Sequence, residues 1–173
     1  HAIEEKAVEA ACTAIEYAVK RNPKTGQRHR IEHCSVCPPS LAECIASLNI
    51  MVVTQPSFIH YNGERYLQTV PEEQLKHLYP VRTLLRHGIH VAGSSDCPIV
   101  PPNPLTGIYA AITRTDETGN VVGGNEKIPL MDALRMYTQN SAQAMFEEGI
   151  IGTITPGKLA DLVVLSGDPT RLS

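Results

Sequence analysis

The chain has 173 residues, of which 42% are hydrophobic and 19% charged, and its formal net charge at pH 7 is −3. This composition is that of an ordinary globular domain, and it excludes a disordered tail and a coiled coil. The longest aliphatic run, residues 50–53, is far too short to cross a bilayer, and no basic run predicts a nucleic-acid surface. We therefore expect a single globular unit with neither a membrane nor a nucleic acid as its partner.

Hydrophobic spacing and the positions of Gly and Pro predict the elements in chain order. Helical spacing of apolar residues predicts helices over residues 3–19, 41–48, 71–87, 105–113, 129–137 and 141–147. Short apolar or β-branched runs predict strands over residues 29–33, 50–54, 90–93 and 162–165. Asn22 and Pro23 end the first helix, and Pro80 is expected to kink the third.

The order of these elements favours an α/β fold. Alternating strands and helices build parallel sheets through right-handed crossovers. The three strands before residue 100 are too few for a parallel sheet that is covered on its faces and edges. The pattern therefore predicts the C-terminal half of a (β/α)8 barrel of the TIM type.

Three polar residues fall where such a fold collects its ligands, at strand ends and helix starts. His33 ends the strand over 29–33, Asp96 follows the strand over 90–93, and His1 directly precedes the first helix. Two imidazoles and a carboxylate on one rim would suit a divalent metal such as Zn²⁺. The alternatives are a structural histidine for His33, a frayed terminus for His1 and a turn cap for Asp96.

Other candidate residues have weaker signals. Cys34 and Cys37 form a single C-x-x-C next to His33, a poor zinc signature without a second pair. The odd count of five cysteines predicts reduced thiols and a cytoplasmic protein. Arg82 and Arg114 could bind a substrate carboxylate, although a solvated helix arginine is the favoured interpretation for each. Tyr61 is a candidate for a pocket wall.

Five segments carry a resemblance to a known protein family. They are His1-Ala2-Ile3, Arg30-Ile31-Glu32-His33, Gln55-Pro56, Gly93-Ser94-Ser95-Asp96-Cys97-Pro98 and the tail over residues 157–165. In this order the chain resembles the C-terminal part of the metal-dependent amidohydrolases, in the amidohydrolase 3 branch that includes N-substituted formamide deformylases.

The resemblance implies roles for the three candidate residues. His1 would be the metal-binding histidine after the fifth barrel strand, and His33 the one after the sixth. Asp96, after the eighth strand, would be a metal neighbour and the general base. The implied cofactor is a divalent metal, with zinc as the expected ion. The implied reaction is hydrolysis of a non-peptide carbon–nitrogen bond, in an amide or N-formyl group of a small molecule. Residues 1–148 would form half of the barrel, and residues 149–173 would return to a composite β-sandwich.

The chain departs from the family pattern in two places. Glu4 and Glu5 stand where the family has Gly-Asp, and the family's first-strand His-x-His and fourth-strand Lys or acid have no counterpart. Because the chain starts with His1, we expect it to be a piece of a longer enzyme. We expect this piece to be inactive alone and to associate with a second copy or with the missing N-terminal half. The alternatives are a non-catalytic relic and a heterocycle deaminase.

Overall fold

Three short parallel strands lie side by side in chain order in the computed structural model, which describes residues 1–24 and 26–171. They are β1 (Arg30–Glu32), β2 (Met51–Thr54) and β3 (Val91–Gly93). The start of the chain adds a fourth parallel position beside β1, because Ala2 forms a bridge with His33 and accepts a hydrogen bond from the Cys34 amide. The predicted α/β fold with a parallel sheet is confirmed.

Eight α-helices connect and follow these strands in the described part of the chain. They are α1 (Glu5–Arg21), α2 (Pro39–Ser47), α3 (Ser57–Thr69), α4 (Glu72–Leu75), α5 (Val81–Arg86), α6 (Pro104–Thr113), α7 (Leu130–Met136) and α8 (Gln139–Ala144). Across residues 1–24 and 26–171, no helix combines the length and the apolar character that crossing a membrane requires.

The helices cover mainly one face of the sheet. Ile31, Val52 and Val91 are neighbours in register, and all three are buried in the main core. That core includes side chains from five helices, α1, α2, α5, α6 and α7. Because side chains alternate along a strand, Met51 and Ala92 face the opposite side, where Ala144 of α8 packs on them. The sheet thus has one thickly covered face and one thinly covered face.

One helix was not predicted from the sequence. Helix α3 begins three residues after the end of β2, in a segment to which the sequence analysis assigned no element. Its apolar side is short, and Gly63 at its centre lowers the intrinsic helix propensity. Gly63 is required there because a Cβ at this position would overlap the side chain of Asp116. Close packing against the segment after α6 therefore stabilises a helix that local preference alone does not favour.

The predicted helix over residues 71–87 is two separate helices. Helix α4 ends at Leu75 and α5 begins at Val81, with Tyr79 between them at a φ of 45°. Pro80 lacks an amide hydrogen and disfavours helical backbone at the residue before it. The chain leaves the helical conformation at Lys76 and resumes it directly after Pro80, so the prediction of one kinked helix is wrong.

The predicted strand over residues 162–165 is wrong. These residues pair with no strand in the described part of the chain, and Val164 is 96% exposed. A strand needs a partner for its backbone hydrogen bonds, and the described residues provide none for this segment. Leu162 and Val163 are exposed as well, so the tail presents a row of apolar side chains to solvent.

A buried arginine at the end of α6 connects the segment before α5 with the segment after α6. Arg114 has no solvent-exposed surface, and its guanidinium donates hydrogen bonds to the carbonyls of Leu78, Tyr79 and Val122. Burial lowers the pKa of Arg114 to about 10, with Glu126 acting in the opposite direction, so the side chain stays charged at neutral pH. The interpretation of Arg114 as a solvated helix residue is wrong, and its donors are unavailable to a substrate.

We expect Arg114→Met to lower the free energy of unfolding by about 3 kcal/mol, because it removes three hydrogen bonds to buried carbonyls, of which only the Tyr79 carbonyl keeps a second donor, the Val81 amide. Urea denaturation followed by circular dichroism measures the loss. Arg135→Met is the matched control, since Arg135 is exposed and forms a surface ion pair with Asp132, and it should change stability by no more than about 0.5 kcal/mol. Equal losses in the two variants would contradict this account of Arg114.

Candidate functional site

Two predicted metal ligands meet at the carboxyl edge of the sheet. Nδ1 of His1 lies 2.8 Å from Nε2 of His33, and the two ring centroids are 4.9 Å apart. The contact follows from the parallel bridge between Ala2 and His33, which aligns the two chain segments. His33 is only 7% exposed, whereas His1 lies at the surface. The structure thus brings His1 and His33 into contact.

A buried glutamine holds the other side of the His33 ring. Oε1 of Gln55 lies 3.0 Å from Nδ1 of His33, and Nε2 of Gln55 donates to Oγ of Ser94 at 2.8 Å. Since the Gln55 carbonyl can only accept, Nδ1 of His33 carries the proton, and Nε2 keeps the lone pair that faces His1. Gln55 therefore selects the tautomer that a metal ligand requires.

These four residues come from four neighbouring parallel segments. His1 precedes the bridge at Ala2, His33 follows β1, Gln55 follows β2, and Ser94 follows β3. Parallel strands bring their carboxyl ends to one edge, so residues that are up to 93 positions apart form one hydrogen-bonded row. Ligands of α/β proteins bind at this edge.

Two of the candidate residues have unusual backbone conformations. His33 has a φ of 77° and Asp96 a φ of 55°, both in the left-handed region that non-glycine residues seldom adopt. Such conformations cost of order 1–3 kcal/mol each and concentrate at functional positions. The amide of His33 is fixed by a 2.8 Å hydrogen bond to the Val53 carbonyl, which holds this conformation in place.

Asp96 does not join the two imidazoles as a third close ligand. The strand ends at Gly93, three residues earlier than Asp96, and Asp96 starts a turn in which its carbonyl accepts from the Ile99 amide. Within residues 1–24 and 26–171, no group of three or more His, Cys, Asp or Glu side chains is placed to hold a metal ion. The structure therefore gathers two of the three predicted ligands.

The imidazole pair fits a divalent metal in its chemistry and nearly in its spacing. Nitrogen ligands suit Zn²⁺ and neighbouring transition metals. Two nitrogens bound to one tetrahedral ion at about 2.0–2.1 Å lie about 3.4 Å apart, slightly farther than the observed 2.8 Å of a hydrogen bond. A small rotation of the exposed His1 ring is enough to accommodate the difference.

The cysteines near His33 are unsuited to metal binding in this arrangement. A hydrogen bond between the thiols of Cys34 and Cys37, followed by burial, raises the pKa of Cys34 well above its usual range. Burial, with Cys44 as a neighbour, raises the pKa of Cys12 to about 12. These thiols stay protonated at neutral pH, and metal binding requires the thiolate.

The remaining sequence candidates lie apart from the imidazole pair. Arg82 is exposed and donates to the Asn125 carbonyl, in agreement with the solvated interpretation. Tyr61 packs edge-on against His60, with ring centroids 5.0 Å apart.

Sequence reasoning missed the roles of two residues. Gln55 and Ser94 lie in two of the segments that resemble the family, but the sequence analysis assigned them no function. The one available signal was their position directly after buried strands. Their partners are 22 and 39 positions away in the chain, so only the sheet register reveals the contacts.

The fold and the site define a class of protein, an α/β domain with an imidazole pair at the carboxyl edge of a parallel sheet. In a comparison with models of known families, the model of the amidohydrolase family matches residues 1–173. The chain belongs to the amidohydrolase family.

Individual relatives agree with this assignment. The Bacillus subtilis (strain 168) protein YtcJ is 35% identical over 172 residues, which are 98% of this chain and 32% of that protein. The N-substituted formamide deformylase of Arthrobacter pascens is 32% identical over 171 residues, which are 98% of this chain and 31% of the relative. The chain therefore spans about a third of the length of these curated relatives.

Solved structures show the same similarity. An uncharacterized metal-dependent hydrolase from Pyrococcus furiosus superimposes with a TM-score of 0.80 at 32% identity, over 99% of this chain and 33% of that one. A second such hydrolase, from Pyrococcus horikoshii OT3, gives a TM-score of 0.83 at 29% identity, over 99% of this chain and 34% of that one.

We expect Gln55→Leu to lower the free energy of unfolding by about 1–3 kcal/mol, because it leaves Nδ1 of the buried His33 without an acceptor. Gln55→Glu retains an acceptor and should lose less. Thermal and urea unfolding measure both variants against Gln68→Leu, a change at an exposed helix position. A loss from Gln55→Leu no larger than that from Gln68→Leu would show that the row of hydrogen bonds contributes nothing to stability.

Proposed function

We propose that this chain is part of a metal-dependent hydrolase that cleaves a non-peptide carbon–nitrogen bond, in an amide or N-formyl group of a small molecule. The observation that carries the proposal is the pair of facing nitrogens of His1 and His33 at the ligand-binding edge of the sheet. Membership of the amidohydrolase family and the similarity to a formamide deformylase support the reaction type.

His1 and His33 would hold the divalent metal, for which we propose zinc, and Asp96 would be its neighbour. A metal bound there would lower the pKa of water and polarise the scissile carbonyl. The contribution of Gln55 would be to keep the ring of His33 oriented and its Nε2 unprotonated, because the Gln55 carbonyl accepts from Nδ1.

Asp96 would act as the general base and then as the general acid. Its carboxylate would accept a proton from the attacking water and pass it to the leaving nitrogen. The turn that begins at Asp96 fixes the backbone of this residue beyond the end of β3. Its position three residues after the end of β3 supports a place near the edge at which His33 follows β1.

The one-sided helical cover of the sheet supports a barrel. In a (β/α)8 barrel, helices lie on the outer face and the inner face closes against further strands. Residues 1–148 would then be the C-terminal half of the barrel, and the exposed tail within residues 149–173 would return to a β-sandwich. The exposed apolar tail and the thinly covered sheet face are the surfaces that such partners would bury.

The open sheet predicts association, with a second copy or with the missing N-terminal half as the partner. Light scattering of the purified chain over a range of concentrations should show a mass above that of the monomer. A monodisperse monomer at high concentration would contradict this expectation.

The free cysteines fit the reducing conditions of the cytoplasm, which we propose as the compartment.

The decisive test of function is hydrolysis of an N-substituted formamide by the purified chain, mixed with the N-terminal half of a relative and loaded with zinc, with released formate as the readout. We expect a chelator to abolish formate release and added zinc to restore it. His33→Ala should lower the bound zinc measured by mass spectrometry, and Asp96→Asn should lower kcat about 10²–10⁴-fold. His90→Ala, at an exposed histidine, is the control that should retain both zinc and activity.

The alternatives give different results in the same experiment. Release of ammonia from a heterocyclic amine without formate release would favour a deaminase. If the protein neither binds zinc nor hydrolyses any amide, also after mixing with an N-terminal half from a relative, the chain is a non-catalytic relic.

A further inference from the structure

A cleft lies between two of the helices that cover the sheet, α5 and α7. Its volume is about 540 Å³, a size typical of small-molecule sites. Three cationic side chains line it, namely Arg82 and Arg86 of α5 and Lys127 from the segment that leads into α7. We call it the basic cleft, and it shares no lining residue with the row of hydrogen bonds at the carboxyl edge.

The positive charges of the basic cleft are not neutralised by the described part of the protein. Within residues 1–24 and 26–171, the side chains of Arg86 and Lys127 form neither an ion pair nor a hydrogen bond. Arg82 donates to the carbonyl of Asn125, which is a neutral acceptor. Arg82 and Arg86 are also four positions apart on one helix, where like charges repel each other. An anion bound in the cleft would relieve this repulsion.

Two acids near the cleft are engaged with other partners. Asp132 lines the cleft, and its carboxylate pairs with Arg135 at 2.9 Å. Glu126 directly precedes Lys127, but it is buried, and its carboxylate oxygens accept from the amide and the hydroxyl of Thr83. The cleft therefore keeps a net positive charge, although the chain as a whole has a formal charge of −3.

The remaining lining of the basic cleft is apolar. Ile128 belongs to the main core and is only 5% exposed, and the half-buried Leu85 packs against the same core. Pro129 adds an exposed ring beside them. A ligand that consists of charged groups alone, such as free phosphate, would leave these apolar side chains in contact with water. Cations beside an apolar floor therefore fit an anion that also carries an apolar or flat body.

We propose that the basic cleft binds a nucleoside diphosphate, with the diphosphate between Arg82, Arg86 and Lys127 and the base on the apolar floor. The planar guanidinium group of arginine matches phosphate oxygens with two parallel hydrogen bonds, and lysine adds a compact charge. A diphosphate has enough oxygens to meet three cations at once, and the base covers Leu85 and Ile128. This binding site goes beyond the proposed hydrolase function and uses none of its residues.

The test compares four probes, ADP, adenosine, pyrophosphate and hexaglutamate, by isothermal titration calorimetry. Each probe is titrated into the chain mixed with the N-terminal half of a relative, as in the test of function. A chelator is present throughout, so that no metal at the imidazole pair can hold a phosphate. We expect ADP to bind at least tenfold more tightly than each of the other probes, because only ADP combines a base with a diphosphate. Added salt should weaken the binding of ADP, because the three cations are exposed.

Arg86→Gln and Lys127→Gln should each weaken the binding of ADP about tenfold and leave the weak binding of adenosine unchanged. Both side chains are exposed, and neither has a partner in the described residues, so neither variant should lower the midpoint of urea unfolding. Arg21→Gln, at the exposed end of α1, is the matched control and should bind ADP like the unaltered protein.

Binding of pyrophosphate or hexaglutamate as tight as that of ADP would overturn the inference, because the cleft would then attract anions without using its apolar floor. Binding of ADP that neither Arg86→Gln nor Lys127→Gln weakens would overturn it as well. Failure of the two proposals can be told apart. Formate release by a protein that binds no ADP would refute the cleft proposal alone, and ADP binding by a protein that hydrolyses no amide would refute the hydrolase proposal alone.

Discussion

The parallel alignment of four chain segments determines the rest of the site. Each segment contributes only a few residues to the sheet, yet the register places the residue after each carboxyl end beside its neighbour. His1, His33, Gln55 and Ser94 form their row of hydrogen bonds for this reason and not because of any local sequence preference. The helices secure the alignment, because Ile31, Val52 and Val91 bury their side chains against them on a single face.

The residues at the edge carry energetic penalties that the core offsets. His33 and Asp96 have left-handed backbone, and Ser57 and Tyr137 bury hydroxyls without partners. Each of these features costs on the order of 1–3 kcal/mol, which is large beside a typical net stability of 5–15 kcal/mol. Away from the edge, the guanidinium of Arg114 is fully buried and has carbonyl partners for its donors, although the backbone of Arg114 is left-handed as well, with a φ of 60°.

One side chain connects the ends of three strands. Gln55, after β2, contacts His33 after β1 with its carbonyl and Ser94 after β3 with its amide. A primary amide suits this position because it accepts on one side and donates on the other. The amidohydrolase relatives are about three times as long as this chain, and the thinly covered sheet face and the exposed tail are where additional chain could pack.

The sequence by itself determined the fold class, the order of most elements and the family, because hydrophobic periodicity and strand-end motifs are local signals. It also singled out His1 and His33 as candidates, and the structure brings their rings into contact. It could not predict α3, which depends on close packing at Gly63, or the absence of the strand over 162–165, which depends on a missing partner. Only the tertiary structure decided that Arg114 is buried, that Gln55 selects the tautomer of His33, and that the Tyr137 ring lies between two glycines. These contacts join residues 22 to 44 positions apart, and their geometry is set by the sheet register and helix packing, which no local pattern encodes.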